Sequence, residues 1–378
     1  MWIAKVFLRV SAVAILAVNV GLMGGCGSAA SVSSAPPSST ATQPQIASVT
    51  NFGDSITCGY YAAPADGSNN VYSMEGYAGL LNATIASPAQ NRCRSGDQAA
   101  DMARLWVYPN AVPTLGARQL YTVLIGTNDA NICGASAGCL ANYSQALGAS
   151  LAWLAMPASD KVLASSMTGG TGAWSPDTAL PMGMATTVSG SSLAVTVNQA
   201  VANRSLYVAF RAGDPAVMNG GVATLSVDGK AVASLNAAGK NGHLIQTQNG
   251  VLDTVFLVSV PLGAVGAHKV TVTMTSADGT FFSLLWMGTP SGSYASVDGA
   301  PRVVIGGVTV STSATLDQVI PSYNSVVTQT VAAMVADGMN IKIAPTATAL
   351  DTATDFADFL HPNNAGHAKL AAAFSSAF

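Results

Sequence analysis

The hydrophobic pattern at the two ends of the chain alternates between strand-like and helix-like segments. Residues 46–52 are a short β-type run and residues 120–125 a continuous apolar run, and each is followed by a glycine. The continuous apolar run is typical of a buried parallel strand. Residues 143–154 have the apolar spacing of a helix. The pattern also predicts strands over residues 161–164, 302–310 and 341–344 and helices over residues 321–337 and 363–374. Residues 46–170 and 300–378 are therefore predicted to form one α/β domain.

The middle of the chain has a different pattern, in which short β-type runs are separated by Gly, Asn and Asp turns. The runs cover residues 192–197, 205–211, 223–227, 254–260, 269–275 and 281–286. Regularly spaced strands of this kind predict an antiparallel β-sandwich over residues 171–299, inserted into the α/β domain. Within it, Phe281, Phe282 and Trp286 are predicted to be core residues rather than a sugar-binding platform.

Residues 1–25 have the pattern of an export signal, with Lys5 and Arg9 ahead of an apolar run. The run is shorter than the ~20 apolar residues of a membrane-spanning helix, which disfavours an uncleaved anchor. Cys26 and the four residues before it resemble a bacterial lipobox, so we expect either a cell-envelope lipoprotein anchored at Cys26 or simple secretion. Residues 26–45 contain almost no large apolar residue, which predicts a disordered tether.

Composition and charge narrow the class of protein. Only 9% of the 378 residues are charged and 49% are hydrophobic, which is typical of a well-packed protein. The formal net charge is −3 and the sequence has no cluster of basic residues, so we do not expect a nucleic-acid partner.

Four cysteines remain when Cys26 is set aside, and an even number in an exported chain favours two disulfides out of three possible pairings. Cys133 and Cys139 flank a short loop and form the natural local pair, which leaves Cys58 with Cys93. The alternative is that all four are buried free thiols. We do not expect a zinc site, because no histidine lies near any of these cysteines in sequence.

Four polar segments together supply the groups that ester hydrolysis needs: an attacking oxygen, a base for its proton and donors for the tetrahedral oxyanion. No single segment would be convincing by itself, but all four occur in suitable local contexts. The segments are Gly53-Asp54-Ser55, Ser95-Gly96-Asp97, Gly126-Thr127-Asn128-Asp129 and Asp358-Phe359-Leu360-His361.

Ser55 is the candidate nucleophile, because it follows a predicted strand at the edge where open α/β sheets hold their ligands. The alternative for Ser55 is a helix N-cap. Asp358 and His361 are three residues apart, so the carboxylate can hold one imidazole nitrogen while the other accepts the proton of Ser55. Asp351 and Asp355 are possible substitutes for Asp358.

The other three histidines are weaker candidates for the base. His243 and His268 lie in the inserted segment with no acidic partner nearby in sequence, and His367 lies inside the last predicted helix. We therefore expect His367 to have a structural role.

The oxyanion would be bound by three donors. Asn128 follows a buried strand and can donate from its side-chain amide, although an ordinary Asx turn is the alternative. The backbone N–H groups of Gly96 and Ser55 are the other two candidates.

These four segments resemble the four sequence blocks of the SGNH (GDSL-type) hydrolase superfamily, which contribute Ser, Gly, Asn and His. Here the blocks fall on Ser55, Gly96, Asn128 and His361, over residues 46–165 and 300–378. Arg92-Cys93-Arg94 departs from the small residues usual in the second block. The resemblance implies a flavodoxin-like three-layer α/β/α fold and a serine esterase mechanism that uses no metal and no cofactor.

The sequence therefore predicts an exported serine esterase that forms an acyl-enzyme on Ser55. Short acyl or acetyl esters are the expected substrates, with carbohydrate as a candidate for the alcohol part. Membrane contact is expected only through a lipid anchor at Cys26. An acyltransferase of the same fold and a catalytically inactive polysaccharide-binding protein remain as alternatives.

Overall fold

The computed structural model describes residues 45–62, 73–85, 88–214, 218–238 and 247–378. The predicted export signal, Cys26, all but the last residue of the predicted tether, and His243 lie outside the described residues. Among the described residues, no helix is both long enough and apolar enough to span a membrane.

The strands are short, and most of them lie in the middle of the chain. In chain order they are β1 (Ser48–Gly53), β2 (Ala89–Cys93), β3 (Gln119–Leu124), β4 (Lys161–Leu163), β5 (Gly169–Thr171), β6 (Ser175–Pro176), β7 (Met184–Thr186), β8 (Ser192–Gln199), β9 (Ser205–Gly213), β10 (Val222–Val227), β11 (Lys230–Asn236), β12 (Asp253–Pro261), β13 (Gly266–Met274), β14 (Phe282–Gly288), β15 (Arg302–Gly306) and β16 (Ile341–Ala344).

The helices lie at the two ends of the chain, and a π-helical segment, Met102–Val107, joins the third to the fourth. In chain order they are α1 (Ser55–Cys58), α2 (Tyr77–Ile85), α3 (Ala99–Asp101), α4 (Tyr108–Asn110), α5 (Thr127–Cys133), α6 (Ala137–Ala155), α7 (Ala314–Ala336) and α8 (Asn364–Ser375).

Five strands form a parallel sheet in the order β2-β1-β3-β15-β16. This is the flavodoxin-like order, in which the strand order reverses between β1 and β3. The sheet confirms the predicted α/β class. Ligands of such sheets bind outside the carboxyl ends of the strands, at the point where the strand order reverses. The residues that follow β1 and β3 lie at this point.

The central strands β1, β3 and β15 are mostly buried because both of their faces are covered. Phe52 of β1 packs in a core with Leu147 of α6 and Val327 of α7. Val49, on the opposite face, packs in another core with Leu81 of α2 and Phe374 of α8. A strand buried on both faces gives a continuous apolar run rather than an alternating one, which explains the sequence pattern.

Residues 169–288 form two antiparallel sheets, in the orders β11-β10-β13-β8-β5 and β12-β9-β14-β7-β6, with β4 also paired to β14. Both sheets contribute to one apolar core that contains Leu225, Phe256, Val272 and Phe282. The antiparallel sandwich predicted for this part of the chain is therefore present.

The sandwich packs on the α/β part through the outer face of its second sheet. Along β9, Leu206, Val208 and Phe210 face the sandwich core, while Tyr207 and Ala209 join the core that contains α6. Trp286 of β14, predicted to be a core residue, is fully buried at this junction, and its indole N–H donates to Tyr108 Oη at 3.0 Å.

Several predicted elements differ from the structure. The helix α6 begins at Ala137 rather than at 143, and the strand β15 ends at Gly306 rather than at 310. The strand predicted over 161–164 for the α/β domain is β4, which pairs antiparallel with β14 instead. The helix predicted from 321 begins at Ala314, because the Ser313 side chain accepts a hydrogen bond from the Leu316 N–H and caps it. Pro321 lies inside α7 rather than at its first turn.

Candidate active site

Gly53, Asp54 and Ser55 form the tight connection between β1 and α1. A side chain at Gly53 would collide with the backbone oxygen of Leu124, so the close approach of β1 and β3 requires glycine. The N-cap of α1 is Asp54, whose Oδ1 accepts from the Ile56 N–H at 2.9 Å. Because Asp54 caps the helix, the Ser55 hydroxyl does not have that role.

Asp358 and His361 lie on the loop before α8 and are held together by a local turn. Asp358 Oδ1 accepts the backbone N–H groups of Leu360 at 2.7 Å and His361 at 2.6 Å. Asp358 Oδ2 lies 2.9 Å from His361 Nδ1. Burial raises the pKa of Asp358, but hydrogen bonds from His361 and Leu360 outweigh it and leave the pKa below its usual value.

The other imidazole nitrogen of His361 faces Ser55. His361 Nε2 lies 2.9 Å from Ser55 Oγ, although the two residues are 306 positions apart in sequence. The structure thus brings the three predicted residues together in the order Ser55, His361, Asp358.

The alternative histidines and carboxylates have other partners. His367 is fully buried, and its Nδ1 accepts the Tyr77 N–H at 3.3 Å. Burial lowers the pKa of His367 to about 4. Asp355 Oδ2 pairs with Lys369 Nζ at 2.6 Å and also accepts the Asp351 N–H. His268 pairs with Asp228 on the β-sandwich.

Of the three predicted oxyanion donors, Gly96 lies on the loop after β2 and Asn128 at the start of α5. Asn128 is in the first turn of α5, and its Nδ2 donates to Asp97 O at 3.0 Å and to Asp54 Oδ2 at 3.4 Å. Gly96 has a φ of +80°, in the left-handed region that favours glycine. The Asn128 amide therefore connects the loop that carries Gly96 to the turn that carries Ser55.

Buried carboxyl groups support these loops. Asp129 accepts the Ala99 N–H at 3.0 Å, and burial raises its pKa to about 8. Burial likewise raises the pKa of Asp54 to about 7 and that of Asp101 to about 6. Asp97 is also fully buried, and burial raises its pKa.

Several residues that touch the predicted site have no role that the sequence predicts. Arg94, part of the departure in the second block, pairs with Asp97 at 2.7 Å and with Asp101 at 3.4 Å. Arg94 lies three residues before Asp97 and seven before Asp101, and this spacing was the sequence signal for the two ion pairs. Asn249, from the β-sandwich, reaches Asp97 Oδ1 at 2.8 Å, and nothing in the sequence indicated this contact.

Aromatic side chains surround His361 on its exposed side. The ring centroid of Tyr60 lies 4.6 Å from that of His361, and the centroid of Tyr61 lies 5.6 Å away. Tyr61 is exposed, as is Phe359 beside the Asp358–His361 turn.

Two disulfides are present, Cys58–Cys93 and Cys133–Cys139. Cys58 is the last residue of α1 and Cys93 the last residue of β2, so the first disulfide joins the segment of Ser55 to the segment that leads to Gly96. Among the described residues, no group of three or more His, Cys, Asp or Glu side chains is arranged to hold a metal ion.

Residues 52–208 match the model of the GDSL-like lipase/acylhydrolase family, and this span contains Ser55, Gly96 and Asn128. Asp358 and His361 lie beyond it. No curated protein matches the chain.

Solved structures that are similar to part of the chain include carbohydrate-binding modules. A family 36 module in complex with calcium and xylotriose is 22% identical, with 34% of this chain and 96% of that chain covered and a TM-score of 0.26. A family 6 module of a marine laminarinase from Zobellia galactanivorans is 16% identical, with 34% and 94% covered and a TM-score of 0.26. A family 6 module from Clostridium cellulolyticum in complex with xylose is 17% identical, with 34% and 94% covered and a TM-score of 0.26.

The matched family is an acylhydrolase family, so it supports an enzyme that hydrolyses esters in general. Over residues 52–208 the chain is therefore similar to the GDSL-like lipase/acylhydrolase family, and its antiparallel sheets lie in sequence between β3 and β15 of the parallel sheet.

Proposed function

We propose that the chain is a serine esterase that forms an acyl-enzyme on Ser55. The observation that carries the proposal is the continuous contact from Ser55 Oγ to His361 Nε2 at 2.9 Å and from His361 Nδ1 to Asp358 Oδ2 at 2.9 Å. The hydroxyl is available to attack because Asp54, not Ser55, caps α1. The proposal includes the three-layer arrangement of the family, supported by the separate cores on the two faces of β1.

The reaction runs in two halves with the same groups. Ser55 Oγ bonds to the ester carbonyl carbon while His361 Nε2 takes the hydroxyl proton, and the tetrahedral intermediate then expels the alcohol, which receives that proton. Water next adds to the acyl-enzyme, gives its proton to His361, and releases the acid as Ser55 is restored. Asp358 holds the Nδ1 proton and stabilises the imidazolium in both halves.

The negative oxygen of the intermediate would be bound by the Ser55 N–H, the Gly96 N–H and Asn128 Nδ2. N–H groups in the first turn of a helix lack partners within that helix, which leaves the Ser55 N–H available. One N–H of the Asn128 amide is held by Asp97 O at 3.0 Å, and the other, whose contact with Asp54 Oδ2 is long at 3.4 Å, is the one that would turn to the oxyanion. A donor held in advance stabilises the oxyanion without a reorganisation cost, and each one contributes on the order of 100-fold or more in rate.

The aromatic surface beside His361 supports a carbohydrate ester as the substrate. The alcohol must leave next to the group that protonates it, so the alcohol part of the substrate lies against His361 and the nearby Tyr60 and Tyr61 rings. Tyrosines present an apolar ring with a polar hydroxyl, which suits the faces and hydroxyls of a sugar. Tyr61 holds this place with a φ of +63°, a costly conformation for a residue with a side chain.

The proposed location is outside the cytoplasm, through either a lipid anchor at Cys26 or secretion. The disulfides Cys58–Cys93 and Cys133–Cys139 support export, because such bonds persist in oxidising compartments.

The test is hydrolysis of p-nitrophenyl esters of increasing acyl length and of acetylated xylan. We expect Ser55→Ala to abolish activity and Asp358→Asn to lower kcat by on the order of 10³-fold, because the amide cannot hold the Nδ1 proton. Asp351→Asn is the matched control, since the Asp351 carboxylate caps a neighbouring turn at Ala353 and does not touch His361. Full activity in Ser55→Ala would refute the mechanism, and preference for long acyl chains would refute the substrate class.

A further inference from the structure

The loop that carries Gly96 is held from the α/β side by the carboxylate of Asp97. Arg94 binds Asp97 Oδ1 at 2.7 Å, and the indole N–H of Trp106 donates to Asp97 Oδ2 at 2.6 Å. Asn128 binds the backbone oxygen of the same residue. These contacts fix Asp97 but leave the Ser95 side of Gly96 without a partner from the α/β part in the described residues.

The β-sandwich supplies that contact through Asn249, in the turn before β12. Asn249 Nδ2 donates to Ser95 O at 3.0 Å and to Asp97 Oδ1 at 2.8 Å. One amide group therefore binds the residue before Gly96 and the residue after it. A Cβ built on Gly96 would lie 3.4 Å from Asn249 Nδ2, so the amide also packs directly against this glycine.

The turn that presents Asn249 is itself rigidly held. Thr247 and Val251 bond to each other through backbone and side chain, and the Gly250 N–H donates to Thr247 O. Thr247 Oγ1 donates to the buried Asp101 Oδ1 at 2.7 Å, and the Gln248 N–H donates to Gln98 Oε1 at 3.0 Å. The Asp214 N–H, directly after β9, donates to Leu252 O at 2.8 Å. The turn of Asn249 is therefore anchored both to the sandwich and to the helix that follows the Gly96 loop.

We propose that Asn249 is a positioning residue for catalysis, by which the β-sandwich holds the Gly96 N–H in place for the oxyanion. This inference rests on the proposed esterase function. It assigns the inserted domain a direct part in transition-state stabilisation. The uncharged ester carbonyl needs the donor less than the oxyanion does, so losing the contact should affect kcat more than KM.

The test compares Asn249→Ala with wild type in steady-state kinetics and in hydrogen exchange of the backbone amides at residues 95–97. We expect kcat to fall about 10- to 100-fold, KM to change less than about 3-fold, and exchange at Gly96 to become faster. Asn219→Ala is the matched control, because the Asn219 amide donates to Gly279 O entirely within the sandwich. The control should leave kcat and exchange at residues 95–97 unchanged.

Asn249→Asp distinguishes positioning from packing, because it preserves the size of the side chain. Its carboxylate would face that of Asp97 and could not donate, so we expect kcat to fall further than in Asn249→Ala at pH 8. At pH 5 the ratio of its kcat to that of wild type at the same pH should be partly restored, since a protonated carboxyl can donate. Equal kcat in wild type, Asn249→Ala and Asn249→Asp would overturn the inference. In that case the proposed function would still stand if the wild-type activity depended on Ser55. No Ser55-dependent activity in wild type would overturn both.

Discussion

Three adjacent residues at the end of β1 have separate tasks that depend on one another. Gly53 permits β1 to approach Leu124, Asp54 caps α1, and Ser55 is left to face His361. A serine at the cap would have turned its hydroxyl toward backbone N–H groups. Because Asp54 caps α1, the hydroxyl of Ser55, the proposed nucleophile, remains available.

The same acid belongs to a group of buried carboxyls whose raised pKa values make stability depend on pH. The pKa of Asp129 is about 8 and that of Asp54 about 7 in the folded chain, against 3.8 for an exposed aspartate. Between pH 4 and these values the folded state keeps protons that the unfolded state has released. The free energy of unfolding should therefore fall as pH rises through this range.

We expect Asp129→Asn to flatten this dependence. The asparagine oxygen can still accept the Ala99 N–H, so stability at pH 5 should be close to that of wild type. The slope of unfolding free energy against pH should decrease by up to about 1.4 kcal/mol per pH unit between pH 5 and 8, as measured by urea denaturation. Parallel profiles for the two proteins would show that Asp129 does not hold a proton.

Asp228→Asn is a control of opposite sign for the same measurement. His268 and the Lys269 N–H lower the pKa of Asp228, so its carboxylate contributes stability that is present above pH 4 and lost as pH falls. Removing that charge should destabilise the chain at neutral pH, by an amount that becomes smaller as pH falls below 4.

A residue of the candidate site could be predicted from sequence where the same short segment also contains the partner or the strand that positions it. Asp358 and His361 are one turn apart, and Ser55 and Asn128 directly follow apolar strands. Asn249 could not be predicted, because its partners lie about 150 positions away and an Asn in a turn has a sufficient local explanation. Tyr60 and Tyr61 were missed for a similar reason, since only the tertiary fold brings them to His361.

At the scale of elements, the disulfide Cys58–Cys93 joins the end of α1 to the end of β2. Both elements lead into segments of the candidate site, with Ser55 before one cysteine and Gly96 after the other. The disulfide Cys133–Cys139 instead links the end of α5 to the start of α6 across six positions. The two disulfides should therefore differ in both energetic and catalytic effect.

We expect the double variant Cys58→Ser with Cys93→Ser to lose about 4 kcal/mol of unfolding free energy, because the bond closes a loop with a separation of 35 residues. The matched pair Cys133→Ser with Cys139→Ser should lose about 2 kcal/mol. Only the first variant should also lower kcat, measured on p-nitrophenyl acetate at a temperature where both are folded. Equal kcat in the two variants would show that the first disulfide contributes stability alone.

The elements themselves were predictable where one physical signal dominated. β3 is a buried parallel strand and β16 a half-exposed edge strand, and the sequence pattern located both to within a residue. The start of α7 was placed seven residues late because proline favours a first turn, whereas Ser313 supplies a side-chain cap that the apolar pattern does not reveal. β4 has only three residues, and its partner β14 is more than 100 positions away, so no local pattern could assign its sheet.

At the scale of the whole molecule, the β-sandwich and the α/β part share a core. Residues 44–378 form one compact unit. β9 presents alternate side chains to the sandwich core and to α6, and Trp286 fills the junction. This shared core is more extensive than a contact between a single loop and a neighbouring domain. It makes the folding of the sandwich a condition for a stable active site, in addition to the contact made by Asn249.

We therefore expect a single cooperative unfolding transition in which ester hydrolysis and β-sheet circular dichroism are lost at the same temperature. Trp286→Ala at the junction and Phe210→Ala inside the sandwich core should each destabilise the chain by about 3–5 kcal/mol and lower the Tm of both signals equally. Val232→Ala, on an exposed strand position, is the control and should change neither. If Phe210→Ala lowered the transition of the sheet signal while activity persisted to the wild-type temperature, the two parts would be independent. Coincident shifts would mean that the sandwich and the α/β part unfold as one unit. A residue of the sandwich, Asn249, could then position the Gly96 loop although it lies about 150 positions away in sequence.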